Sequence, residues 1–533
     1  MDSSVFDKLP FELVECILRL QEPERIAISR EVCKLWKTVV DNSHAMLYAM
    51  TLAKYGLKEN PVALPASVAE RLVLLNAQVN SSWADMQPGL DAGELTIPSY
   101  LMWEFFGNVF ALATDEKLVF HQFTSPRSDK PRLTWEVPLK GEGSLDDFAM
   151  DPSQDLLILA RSGTSPPMLV TLLFHTMSTG HWHPLAKGAE LTFPIPSFDV
   201  SSYYILVCGA YIGVHFNDGN DSGFRLLIIN WTSGELCMEL QSGSDHELAS
   251  FAFISESHIA VCAVLNQEKD DPEQGIRIFN FLSAQKVVLV NDRDSVDLLL
   301  KFPEYLQGIH GCKIRCDPTP SWPGQGDTLT QFYDDPDELI YTISIRYLDG
   351  TITLVVRRAS LLEHLGGEVW DVDWSDWGEQ GASCVEINDS DSCWECRTFG
   401  SLMVTANEKG SLTVYDFNQK RARLLPEFLV DPFDNSGEEE GPTDLVPVWP
   451  NKSEDSEDEL EDRDAIEDES DWETESETSS DADSYDCIAG LPFRKRVFPN
   501  VLPTGIQDAM MGLDCILLVD VVDREGEFRV LPL

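Results

Sequence analysis

The chain has 533 residues, with 90 Asp and Glu against 39 Lys and Arg, a formal net charge of −51 and a pI near 4.3. That excess excludes a scaffold that tracks a phosphate backbone, where every contact needs a cation, and argues against docking on anionic lipid, which needs a polybasic patch. Hydrophobic residues make up 43%, too many for a chain disordered throughout, and the length suits one small domain plus a large β-domain, or two to four domains.

Residues 1–10 carry two acids and no apolar h-region, so no secretory signal is expected, and no run approaches the length of a membrane span. The 12 cysteines are scattered, several in apolar runs (Cys208, Cys262, Cys515), as expected of reduced thiols in a cytoplasmic or nuclear protein. Cys393-x-x-Cys396, and His310-x-Cys312 followed by Cys316, have ligand-like spacing. Neither has a second close pair beside it, so no metal or cofactor is expected.

The first helical pattern opens at Leu9-Pro10, where a proline costs nothing because its missing N–H would be unpaired anyway. Leu13, Ile17 and Leu20 follow at helical spacing, with Val14 and Leu18 widening the stripe. A break at Gln21-Glu22-Pro23 leads to a second short helix carrying Ile26, and a third pattern carries Val32, Trp36, Val39 and Val40. Three such helices bury too little surface to stand alone, so their apolar stripes require a partner.

These residues resemble an F-box over residues 3–45. The carriers are Leu9-Pro10, Leu13, Val14, Ile17 and Leu18, followed by Val32-Cys33-x-x-Trp36-x-x-Val39. The resemblance implies binding to the Skp-type adaptor of a cullin–RING ubiquitin ligase. Leu9, Pro10, Leu13, Val14, Ile17 and Leu18 would face the adaptor. Ile26, Val32, Cys33 and Trp36 would hold the helices together and complete the contact.

Residues 46–93 read as a helical linker, with faces at 44–55 and 61–77. From residue 94 to 430, and again from 488 to 533, strand-length runs alternate with polar turns. Phe148, Phe198 and Phe251 each lie eight residues before an aliphatic position (Leu156, Leu206, Ile259), and the phenylalanines are 50 and 53 residues apart. That is a blade-like period. A second element joins an aliphatic strand to Asn or Asp, an aromatic and a turn: Asn230-Trp231, Asn280-Phe281 and Asp416-Phe417. It resembles the strand that ends a WD repeat, without that family's Gly-His element. The expected fold is α+β and multi-domain: a small all-α F-box followed by an all-β propeller of about seven degenerate, WD-like blades. The strand at 516–522 should join a sheet begun elsewhere, since an unpaired apolar edge is a liability.

No P-loop, nucleophile elbow or His-Glu-x-x-His is present, and His181-Trp182-His183 lacks a third ligand nearby, so no enzyme is expected. Trp370, Trp374 and Trp377 form an aromatic run, in which Trp370 and Trp374 read as blade packing, with an exposed ligand face as the alternative. Residues 431–487 hold 24 acids and two bases, which reads as an acidic disordered insert inside the array. Ser456, Ser470 and Ser480 each have an acid three residues on, the pattern casein-kinase-type enzymes favour. The whole resembles the F-box proteins of fungi, with an unknown protein substrate on the propeller, no nucleic acid and no membrane. The alternative is a propeller scaffold binding basic proteins such as histones.

Overall fold

A computed structural model describes residues 9–80, 93–423 and 491–532, apart from 63, 66, 98–99, 124–131, 140–144, 164–168, 195–199, 219–223, 243–245, 266–273, 284, 307, 324–330, 349, 368, 386–395, 408–409, 492, 499–501, 503–507, 514 and 523–524. Helices α1 (Phe11–Leu18), α2 (Pro23–Val32), α3 (Lys34–Asn42), α4 (His44–Tyr55) and α5 (Val68–Val79) form an arm. The expected helical linker is interrupted by a short strand, Leu57–Glu59, which pairs with Phe332–Asp334 of the body.

The body is a seven-bladed β-propeller. Blade one runs through Met102–Phe106, Val109–Ala113, Lys117–Gln122 and Leu133–Pro138. Blade two runs through Asp147–Asp151, Leu156–Ser162, Leu169–Thr176 and Glu190–Pro194; blade three through Val200–Cys208, Tyr211–Asp218, Phe224–Asn230 and Glu235–Gln241. Blade four holds His246–Phe253, His258–Leu265, Gly275–Asn280 and Leu298–Lys301; blade five holds Gly311–Arg315, Ile340–Tyr347, Gly350–Arg357 and Ala382–Val385. Blade six holds Thr398–Phe399, Leu402–Ala406, Leu412–Asp416 and Arg494–Phe498. Blade seven takes Asp508–Met511, Cys515–Val522 and Glu525–Pro532 from the end of the chain and Gly93–Ile97 from before blade one. The ring is therefore closed by strand pairing between distant segments, and 516–522 does join a sheet begun elsewhere.

Each pair of neighbouring blades shares one apolar core. Phe148 and Leu157 of blade two, for example, meet Ala111 and Phe120 of blade one. Middle strands sandwiched in this way are buried on both sides, so they read as unbroken apolar runs, as in Val109–Ala113 and residues 156–160. The Asn/Asp–aromatic element closes the third strands. Asn230 Oδ1 accepts from Thr232 N and Ser233 N at 3.1 and 3.0 Å, and Asn280 Oδ1 from Leu282 N at 2.9 Å. The aromatics that follow, Trp231, Phe281 and Phe417, are fully buried. The phenylalanine repeat holds only in part. Phe148 and Phe251 lie on first strands, with Leu156 and Ile259 on the second, but Leu206 belongs to a first strand. Phe198 lies outside the described residues.

Adjacent strands alternate in direction. The first-to-second and third-to-fourth connections therefore leave on one face, and the remaining connections on the other. On the first face, the third-to-fourth connections of three successive blades cross the outer edge of the blade before. Val287–Leu289 of blade four pairs in parallel with blade three, and Asp371–Val372 of blade five with blade four. In blade six the chain leaves after Ala422 and returns at Leu491, whose N–H donates to Ala382 O on the edge of blade five at 2.8 Å. The acidic segment 431–487 thus belongs to a connection within one blade and lies outside the described residues, with Ser456, Ser470 and Ser480. Outer edges that would otherwise template aggregation are covered.

The arm sits on the same face. Tyr48, Leu57, Leu72, Leu75 and Val79 pack with Trp322, Phe332 and Phe399. Beneath them the guanidinium of Arg421, 2% exposed, donates from Nε and Nη2 to both oxygens of Asp416 at 2.9 and 3.0 Å and from Nη1 to Asp334 Oδ1 at 2.8 Å. Arg494 Nη1 reaches Asp416 Oδ2 at 3.4 Å, so two carboxylates face two guanidiniums. Gly56 ends α4 in the left-handed region (φ 60°), and a Cβ there would lie 2.6 Å from Asn418 Nδ2. Burial alone would raise Asp416, but Arg421 and Arg494 more than offset it and hold the carboxyl below its ordinary value. Its contribution is therefore present above the ordinary carboxylate pKa and lost as pH falls through the depressed one.

Arg421→Ala takes the guanidinium from Asp334 and leaves Asp416 with Arg494 alone, and is expected to cost about 3–5 kcal/mol in urea unfolding at neutral pH. Lys286→Ala, which removes an exposed pair with Glu235, should cost under about 1 kcal/mol. The difference between Arg421→Ala and the parent should narrow as pH falls through the Asp416 titration. Deleting residues 525–533 should abolish the cooperative calorimetric transition, because blade seven then loses the strand between Cys515–Val522 and Gly93–Ile97.

Candidate functional site

α1 starts where Pro10, at the N-cap, offers its carbonyl to Leu13 N and Val14 N at 3.0 and 3.2 Å, and Glu12 complements the helix N-terminus. α2 has Pro23 in its first turn. α3 is capped by Cys33, whose Sγ accepts from Trp36 N at 3.5 Å. Ser43 Oγ donates to Glu15 Oε1 and Ser29 Oγ to Gln21 Oε1, both at 2.7 Å, tying the three helices together. Arg30 Nε bonds Asp41 Oδ1 at 2.5 Å, and that bond keeps the Asp41 carboxyl below its ordinary value.

The stripe expected on the adaptor side divides in two. Val14 and Leu18 turn inwards and, with Ile26, Val39, Val40 and Met46, fill the arm's own core; Leu9 and Trp36 are half-buried against it. Leu13 and Ile17, one residue earlier on the helix and so about 100° away, remain 50% and 44% exposed. Pro10, Val32 and Cys33 are also exposed. Val32, expected to hold the helices together, is 62% exposed, and Cys33 supplies the cap of α3. Leu20 of the expected stripe is 88% exposed, and sequence reasoning missed two further outward apolar residues, Phe11 and Ile28 (68% exposed). The signal for Ile28 was available, since it lies two residues past the core position Ile26 and so on the opposite side of its helix.

The other singled-out groups are structural. The two imidazoles of His181-Trp182-His183 lie in different surroundings. His181 is exposed, while His183 is buried, with Nε2 3.0 Å from Gln154 O and Nδ1 accepting from Leu185 N at 3.2 Å. Cys312 and Cys316 are buried while His310 is exposed, and Cys396 accepts from Arg315 Nη2 at 3.0 Å; Cys393 lies outside the described residues. Among the described residues no group of three or more His, Cys, Asp or Glu is placed to hold a metal. Asp371 and Asp373 clasp Lys301 Nζ, each at 2.8 Å, and those bonds raise the lysine above its ordinary value. Trp374 and Trp377 are buried edge-to-face in blade packing, and Trp370 lies under Arg293. Among the described residues no helix is long and apolar enough to cross a membrane.

No family model matches the chain, and no curated protein matches it. Solved structures similar to it include the hydrazine synthase of Kuenenia stuttgartiensis (9% identity, TM-score 0.29, 49% of this chain and 65% of that one). The WD40 domain of SCAP from fission yeast is 6% identical, with TM-score 0.34 and 81% of each chain covered. The Dos1 propeller is 10% identical, with TM-score 0.26 over 57% of this chain and 62% of that one. The chain thus spans just under two thirds of the first and third of these. With likenesses this remote, the seven-bladed propeller rests on the chain's own strand pairing and inter-blade cores.

Proposed function

We propose that the chain is the substrate-receptor subunit of an SCF-type cullin–RING ubiquitin ligase, with a Skp-type adaptor seated on α1–α3 and a protein substrate held by the propeller. The observation that supports this most is the outward apolar set of Phe11, Leu13, Ile17, Leu20, Ile28 and Val32 on a helical unit whose own core is already filled. Large apolar side chains exposed on α1, just past its end and on α2 call for a covering partner. The Leu9-Pro10 turn and the Val32-Cys33-x-x-Trp36 element supply the chemistry of that partner by resemblance. The arm's anchorage on one face of the ring would hold the two partners at a fixed separation. Catalysis would lie in the partners, the gain being proximity between a substrate lysine and the conjugating enzyme.

The charge favours a second reading of the propeller: a scaffold for basic proteins such as histones, with the arm packing only in cis. A net −51 draws basic partners, and the segment at 431–487 concentrates that field.

Purified full-length protein with Leu13→Asp and Ile17→Asp should lose adaptor binding by roughly thirtyfold or more in a titration, on the scale of interface hot spots. Its melting temperature should stay at the parent's, because both side chains are exposed. Leu18→Asp should instead destabilise the arm. Undiminished binding by the double variant, or no binding by the parent, contradicts the ligase reading and leaves the scaffold.

A further inference from the structure

The seven first strands line the propeller's central channel. Between blades one, two, three and five the channel widens into a cavity of about 210 Å³, lined among others by Glu104, Asp147, Tyr203, Tyr204, Arg315 and Asp317. That is far more than the ~15 Å³ that admits one water. Four carboxyls line the walls, and two of these, Asp317 and Asp151, are already committed. Asp317 Oδ2 holds Arg315 Nε at 2.6 Å, and the same guanidinium donates to Cys396. Asp151, at the cavity's margin, accepts from Ser153 N, Ser153 Oγ and Gln154 Nε2.

Glu104 and Asp147 are different. Asp147 accepts only the N–H of Phe148, at 2.8 Å, and Glu104 makes no hydrogen bond among the described residues. The charges around Glu104 are Arg315, Asp317 and Asp147, so the one cation nearby is already met by a carboxylate; beside Asp147 stands Asp146, held by Ser162. Burial pushes Glu104 to about 8, with Arg315 offsetting part of the rise, and pushes Asp147 to about 7. Among the described residues the one cation lining this cavity, Arg315, is paired with Asp317, which leaves the carboxyls of Glu104 and Asp147 without a cation of their own.

We propose that this channel cavity binds one organic monocation bearing N–H donors, an alkylammonium or alkylguanidinium group, clasped by the carboxyls of Glu104 and Asp147. Tyr203 and Tyr204 also line the cavity, with their rings packed edge-on against Phe216 and Phe251 on opposite sides of blade three's first strand. A divalent metal does not fit as well, since Ca²⁺ takes six to eight oxygens and most of the remaining carboxyl oxygens are already bonded. The site belongs to the propeller and stands whether or not the arm binds an adaptor. The cation can arrive as a free small molecule or as the end of a lysine or arginine side chain on a basic partner.

The test is calorimetric titration of the full-length protein with n-butylguanidinium, n-butylammonium, neutral n-butylurea, CaCl2 and the peptide Gly-Arg-Gly, at 0.15 M salt and pH 6, 7 and 8.5. At least one of the two organic cations or the peptide should bind saturably. Affinity should rise about tenfold or more from pH 6 to 8.5, with proton release on binding, because the carboxyls must ionise to receive the cation. Glu104→Gln, which keeps the shape of the neutral acid and should fold as the parent does, ought to lose at least tenfold in affinity and most of the proton release. Tighter binding of the peptide identifies a side chain as the source, and tighter binding of the small cations a metabolite; either supports the site. Absence of saturable binding by all three, equal binding in Glu104→Gln, or equal binding of butylurea or Ca²⁺ overturns it.

Discussion

The structure turns on one buried charge. Arg421 lies on the first turn after blade six's third strand, where its guanidinium binds Asp416 of that strand and Asp334 of the segment that pairs with the arm. Arg494, just after the chain returns to the blade, approaches Asp416 from the other side. One balanced cluster therefore joins the arm's footing to the third and fourth strands of blade six. Such clusters rarely exceed an apolar packing in stability, but removing one member leaves charge stranded in the interior. Its consequence is geometric: the points where the described chain leaves and re-enters blade six are tied together beside the arm.

The ring around this junction is built from non-local pairing. Gly93–Ile97 waits for Glu525–Pro532, more than four hundred residues later, before blade seven is complete. The braces laid by blades four, five and six on their predecessors' edges serve the same end, since an open blade edge invites pairing with another chain. Both features make the body a cooperative unit on which a short, partner-dependent arm can be carried.

Much of this was legible in the chain, for local reasons. The helix at His44–Tyr55 follows from its apolar face, and the Asn/Asp–aromatic turns from side-chain bonds that need only two or three neighbours. The blade count followed from strand density. What escaped notice depends on distance or on a shift of one position. Val14 and Leu18 differ from Leu13 and Ile17 by a single residue, which on a helix turns core into surface. Leu206 copied the aliphatic pattern of a second strand while lying in a first. Glu104 and Asp147 belong to different blades, and nothing in either segment announces that the ring brings them to one cavity. The strand Leu57–Glu59 is too short to rise above its helical surroundings, and it forms because Phe332–Asp334 offers an edge.

The most direct test of the central claim is hydrogen–deuterium exchange of the full-length protein with and without a Skp-type adaptor. The ligase account predicts a stoichiometric complex in which protection rises across residues 11–36, while exchange in the blades is unchanged. Unaltered exchange across α1–α3 at saturating adaptor, or protection confined to the propeller, would contradict it.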